Sequence, residues 1–345
     1  MKTARNANIE LLRICLMFGI FILHAIYHSG NQLPAVSNCL RWCVNCFVFI
    51  SGWYGIQFSL SRLLRFVATV AYAGVVAIAV GVLVGTWNPS DNAFLSNAYK
   101  MIVGHWFVVA YVILMLVAPL VNSALEKISS EKLSQILLPF VFLLFWSWSQ
   151  GLPLISTALP LAPGFGDYTP LSLIGVYVCA RVMRMLKVDV RVDAVKLLVV
   201  LCACAPVCFW GFGTYSSFFA ILVAGSVFLL FERCPIQARI ERIVTILSPS
   251  MFSMLILSQK AGWTLPLFNR LNGNMVNQPI YLKGISALSL AGLLFAGCLL
   301  LDVPRRAFCY VFHEALHRAC KYIDAKYYIF CVNLCGKLGF SVGGG

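Results

Sequence analysis

Apolar runs of about 20 residues, the length needed to cross a bilayer core, recur ten times between residues 11 and 301. They lie near 11–28, 40–58, 66–87, 103–122, 136–155, 170–186, 196–213, 216–232, 243–260 and 284–301. In hydrocarbon every backbone amide and carbonyl has to be paired within the segment, so runs of this length are helices. With 61% hydrophobic and only 11% charged residues, the chain has too little polar surface for a soluble fold of this size. The sequence predicts an all-α polytopic membrane protein.

The basic residues orient it. With the N-terminus inside, only Arg41, Lys100, Lys260, Arg270 and Lys283 fall on outside segments, and the other 21 of the 26 Lys and Arg face the cytoplasm. The expectation is ten transmembrane helices with both termini cytoplasmic. A membrane domain would span residues 1–301, and a cytoplasmic amphipathic tail 302–345. The net charge of +14 is split into short clusters between apolar runs, which points to the bilayer as partner and away from nucleic acid. Segments around 150–169 and 261–283 carry Pro, Gly and Asn and read as loops or re-entrant caps. The first span is interrupted by Arg13, and "LPAVSN" offers no small-x-small cleavage site, so it reads as an uncleaved span.

The fourteen cysteines lie mostly inside apolar runs and act as small hydrophobes. "CLRWCVNC" places Cys39, Cys43 and Cys46 at an iron–sulfur spacing, but no soluble barrel is present to hold a cluster, so they read as residues lining a helix.

Several polar residues interrupt the spans. "NIELLRICLMFGIFILH" puts Arg13 and His24 eleven residues apart, almost three helical turns, so both share one face about 16 Å apart. Glu10 and His28 extend that stripe at spacings of three and four. Taken singly, Arg13 reads equally as a snorkelling arginine and His24 as a buried structural histidine. Their shared face favours a cavity, where a neutral imidazole serves as a general base. In "VNCFVFISGW", Asn45 and Ser51 are either interhelical glue or site residues. "SRLLRF", at the inner end of the second span, carries Arg62 and Arg65, which either satisfy topology or form a fork for phosphate oxygens. "GHWFVVAYVILMLVAPLVNS" opens on His105, Trp106 and Tyr111 and closes on Pro119 and Asn122.

In order and spacing, "ELLRICLMFGIFILH", "VNCFVFISGW", "SRLLR", "HWFVVAYVILMLVAPLVN" and "LIGVYVCARVMR" resemble the membrane acyltransferase-3 family. More closely, the chain is similar to the bacterial surface-polysaccharide O-acyltransferases of that family, over roughly residues 5 to 300. The resemblance implies a multi-pass enzyme of the bacterial inner membrane. It would move an acyl group, acetyl foremost, from cytoplasmic acyl-CoA to a hydroxyl of a cell-surface or lipid-linked glycan. No tightly bound cofactor is implied, since acetyl-CoA is the donor substrate. His24 and Arg13 match the family's essential histidine and arginine, Glu10 its acidic position, and Arg62 and Arg65 the arginine pair thought to meet CoA. His24 would take a proton from the acceptor or carry the acyl group itself. Asn45, Ser51, Trp106 and Tyr111 would support the substrate. Near the ninth span, where the family often reads serine–phenylalanine–tyrosine–histidine, "SPSMFSMLILSQK" has Leu255 and Ser258 at the tyrosine and histidine positions.

Two rivals come from other classes. A transporter or proton-coupled channel could use the same polar stripe as a relay, but no inverted repeat is visible. "HEALH" at 313–317 fits a zinc-protease signature, with His313 and His317 as ligands and Glu314 as base. Phe308, Val311, Phe312, Ala315, Leu316, Ala319 and Ile323 instead form the apolar stripe of a surface helix, with His313, Glu314, His317, Arg318 and Lys321 on its wet face. Asp324, seven residues on, stands about 10 Å along that helix and cannot complete a site with bonds near 2 Å. No metal is expected.

Overall fold

The computed structural model describes residues 6–28, 33–83, 85, 88, 90, 106–129, 131–133, 135, 169–212, 217–234, 236–259 and 278–337. Every regular element among them is helical. In chain order these are α1 (Ala7–His28), α2 (Pro34–Leu40), α3 (Trp42–Tyr54), α4 (Leu60–Leu83), α5 (Trp106–Leu125) and α6 (Pro170–Met185). After the four-residue helical turn Val188–Arg191 come α7 (Ala194–Val207, continued by a π-helical turn Cys208–Phe212), α8 (Phe218–Arg233), α9 (Ala238–Leu247), the 3₁₀ turn Ser248–Ser250, α10 (Met251–Gln259) and α11 (Ile280–Lys337). The expected span at 136–155 and most of both outside loops lie outside the described residues.

Among the described residues, five stretches are long and apolar enough to cross a membrane: Ala7–Ile26, Leu60–Leu83, Trp106–Leu125, Ala238–Ser258 and Ile280–Cys309. They coincide with the expected first, third, fourth, ninth and tenth spans. Large apolar side chains point outward, with Leu83, Leu300 and Trp210 each more than 70% exposed. A soluble chain would bury such groups, and lipid removes the need.

Boundaries differ from expectation where a local break intervenes. The second span was placed to residue 58, yet α3 ends at Tyr54, because Gly55 adopts φ +76° and turns the chain out of the helix. The chain re-enters helix at Leu60, so Arg62 and Arg65 stand on the first two turns of α4 and not at the end of the preceding span. In the ninth span a 3₁₀ turn, Ser248–Ser250, separates α9 from α10 at Pro249, which has no amide to donate. The tenth span runs on without interruption, and α11 has 58 residues.

The chain divides into two compact units, residues 1–43, 65–105 and 231–312 in the first, and 44–64, 106–230 and 313–345 in the second. In the first, α1 packs on α2, α9, the 3₁₀ turn and α10. Leu12, Leu16, Met17, Ile20 and Phe21 are all but fully buried. Phe295 of α11 meets Phe18 and Phe21 edge-on, at 6.1 and 5.9 Å. Gly19 permits a close crossing, since a Cβ there would come within 2.8 Å of the Cys43 sulfur.

Further along α11, the fully buried Asp302 pairs with Arg305 one turn on, at 2.5 and 2.9 Å. The guanidinium, 13% exposed, also donates to Thr69 of α4 at 3.4 Å and to the Pro249 carbonyl at 3.2 Å. One ion pair thus ties three elements together. Asp302→Ala should lower stability by about 3–5 kcal/mol, because it strands a buried cation. Thermal melts of the purified protein in detergent read this, and Asp302→Asn should lose less.

In the second unit α5 packs on α6 through Leu125, Val178 and Val182. Phe49, Trp53 and Phe228 form an aromatic cluster, with centroids 5.4 Å (Phe49–Phe228) and 5.1 Å (Trp53–Phe228) apart. Gly52 lies against α6 so closely that a Cβ would run into the Tyr177 carbonyl. The loop after α3 is clamped at a single residue. The Ile56 amide donates to the Tyr177 hydroxyl (2.9 Å), which donates to Asn122 Oδ1 (2.9 Å), and Asn122 Nδ2 donates back to the Ile56 carbonyl (3.0 Å). This closed ring satisfies both backbone groups of a residue outside any helix.

Candidate active site

The polar stripe of α1 is built as its spacing requires. Glu10 and Arg13, one turn apart, form an ion pair at 2.7 Å. The glutamate side chain is 7% exposed and the guanidinium 33%. Glu10 Oε2 has no hydrogen-bond partner among the described residues, so this buried carboxylate keeps acceptor capacity beside the arginine. Eleven residues past Arg13, and about 16 Å along the same face, His24 is buried.

His24 is not alone. Its Nδ1 lies 3.0 Å from the hydroxyl of Ser258 on α10, a side chain with no exposure at all. That hydroxyl donates to the Leu255 carbonyl at 2.9 Å. Of the two positions at which the sequence departs from the family pattern, Ser258 meets the histidine, and Leu255 accepts from that serine through its backbone carbonyl. In the sequence alone Ser258 stands out only as a departure from the family pattern. The side chain of His28 lies outside the described residues.

The remaining candidates fall in the second unit, apart from Arg65, which belongs to the first. Ser51 donates to the Phe47 carbonyl at 3.0 Å. Its oxygen also lies 3.1 Å from the Tyr111 hydroxyl, and either group can donate in that bond. Tyr111 stacks on Phe107, itself edge-on to Trp106 at the start of α5. Asn45 is buried. Arg62 is exposed and Arg65 half-buried, three residues apart on α4 and so on one side of that helix.

This second unit also holds a cavity of about 450 Å³. Its walls come from the 54–58 loop, from Pro119, Asn122, Ser123 and Glu126 after the middle of α5, from Arg181 of α6, and from Asp324 and Tyr327 of α11. Arg181 pairs with Glu126 at 2.9 Å, and a Cβ on Gly55 would press to within 3.0 Å of its guanidinium. Asp324 caps the start of α4, accepting from the Leu60 amide at 2.5 Å and the Ser59 hydroxyl at 3.1 Å. Tyr327 donates to the Leu116 carbonyl at 2.6 Å and lies 4.1 Å from the Phe58 ring, and burial raises its phenol above the ordinary range, keeping it a neutral donor. Asp324 therefore serves α4 and is committed there. The side chains of His313, Glu314 and His317 lie outside the described residues.

The acyltransferase-domain model of the acyltransferase-3 family matches residues 6–303. The chain belongs to that family. The matched region contains Glu10, Arg13, His24, Arg62, Arg65 and Ser258, whereas Asp324 and Tyr327 lie beyond it. No curated protein and no solved structure matches the chain. As an acyltransferase with several apolar helices, it is a multi-pass membrane protein.

Proposed function

We propose that this acyltransferase moves an acyl group, acetyl foremost, from cytoplasmic acyl-CoA to a hydroxyl of a cell-surface or lipid-linked glycan at the bacterial inner membrane. The observation that carries this reading is the α1 stripe, a buried histidine and an ion-paired arginine on one face, inside the acyltransferase domain. The fold in this reading is a ten-span bundle with both termini cytoplasmic, supported by the distribution of 21 of its 26 basic residues.

The chemistry is ester exchange. His24 takes the proton of the acceptor hydroxyl as its oxygen attacks the thioester carbonyl; the C–S bond breaks, and the proton passes to the departing thiolate as free CoA. If His24 instead carries the acyl group, the imidazole attacks the thioester and expels the CoA thiolate; the acceptor oxygen then takes the acyl group, freeing the imidazole, and its proton passes to the thiolate as free CoA. Arg13, held by Glu10, orients the donor or counters its charge. The 16 Å between Arg13 and His24 is about half the 30 Å hydrocarbon core, so the donor's arm reaches that deep to meet an acceptor from outside.

Arg62 and Arg65 meet the CoA phosphates in this reading. Arg62→Ala with Arg65→Ala should raise KM for acyl-CoA by about tenfold or more and leave a residual rate at saturating donor. The deciding experiment is release of free CoA thiol by the purified protein with glycan acceptor. Transport through the same stripe needs no thioester, so solute movement without CoA release would replace this reading with the transporter.

A further inference from the structure

We infer that Asp324 is a positioning residue for the acyl donor: from α11 it holds the first turn of α4, and with it Arg62, in place to meet the CoA phosphates. This rests on the reading of Arg62 as a donor contact.

Gly55 ends α3 with φ +76°, and α4 starts only at Leu60, so residues 55–59 belong to no helix. A helix start also leaves its first amides without partners inside the helix. Asp324 meets both needs. One carboxylate oxygen accepts from the Leu60 amide at 2.5 Å, and the other from the Ser59 hydroxyl at 3.1 Å. The Ser59 carbonyl in turn accepts from the Arg62 and Leu63 amides, each at 3.0 Å. Through Ser59, hydrogen bonds therefore run from the Asp324 carboxylate to the backbone of Arg62.

Arg62 depends on that backbone. Its side chain is exposed and makes no ion pair or hydrogen bond among the described residues. A guanidinium without a side-chain partner is placed by the turn beneath it, and its donors stay open for phosphate oxygens. When such a turn frays, the binding-competent fraction falls, and apparent affinity falls by the same factor.

Asp324 is fixed from its own side as well. Tyr327, about one turn further along α11, donates to the Leu116 carbonyl of α5 at 2.6 Å, and its ring lies 4.1 Å from that of Phe58. The segment is thus tied to α5 and to the loop before α4, all within the second unit. Asp324 stands beyond residue 303, where the match to the acyltransferase domain ends, so residues outside that domain help to build the donor site. A carboxylate that only competed with phosphate for the start of α4 would act with the opposite sign, and its removal would tighten donor binding.

Full-length protein in lipid nanodiscs, titrated calorimetrically with acetyl-CoA, gives both a Kd and the number of binding sites. Asp324→Ala should raise Kd about fivefold, the scale of a lost helix cap, with the number of sites unchanged. Asp324→Asn, which keeps an acceptor oxygen, should recover most of that loss. In an Arg62→Ala background Asp324→Ala should add nothing further, because it acts through Arg62. Ser59→Ala, which cuts only the hydroxyl bond, should shift Kd the same way and serves where Asp324→Ala does not fold. An unchanged or lower Kd in these variants, or an equal rise in the Arg62→Ala background, overturns the inference. An unchanged Kd in Arg62→Ala alone removes the donor reading, and this inference with it.

Discussion

His24→Ala should abolish detectable acyl transfer while the protein still inserts and folds. A positioned general base supplies about 10²–10⁴-fold in rate, and alanine removes the imidazole that takes the proton in this reading. Folding should survive because Leu12, Leu16, Met17, Ile20 and Phe21, all but fully buried, keep α1 packed. The change removes the 3.0 Å contact with Ser258, and the serine hydroxyl keeps its bond to the Leu255 carbonyl. The loss is therefore catalytic, and it should appear in kcat at saturating donor. Near-normal turnover in His24→Ala would make the histidine structural.

Arg13→Lys should also fail, by about 10²-fold in kcat/KM, the scale on which an active site responds to one missing preorganised donor. The substitution keeps the positive charge and removes the planar fork. Arg13 spends one nitrogen on Glu10 at 2.7 Å and is one-third exposed, so the guanidinium can hold the glutamate and present further donors to a ligand at once. An ammonium on a flexible stem would pair with Glu10 and lose that second direction. Full activity in Arg13→Lys would mean that charge alone is required at this position. Steady-state rates across acyl-CoA concentrations separate these outcomes.

The α1 stripe was legible in the sequence because helical periodicity is local: eleven residues fix a shared face whatever surrounds it. The Glu10–Arg13 pair followed for the same reason, at one turn's spacing. The partner of His24 was not legible, because Ser258 reaches it through a packing of α10 on α1 that no local pattern encodes. The break at 55–59 was hidden by apolar residues that continue across it, and Gly55 was the one signal available. Arg62 and Arg65 were consequently read as ending a helix whose successor they begin. Asp324 was weighed only as a distant zinc ligand. Its actual task, capping α4 from 264 residues away, depends on where α11 runs after its apolar stretch, and hydropathy does not specify that.

The central claim is that acyl-CoA is the donor and that its acyl group leaves through His24. Purified protein in vesicles, given donor labelled in the acyl group and a glycan acceptor, tests it most directly. Label is expected in an ester on the acceptor, with an equal amount of free CoA thiol, and neither product with His24→Ala. Label transferred without release of CoA thiol, or both products formed at near-normal rate by His24→Ala, would contradict it.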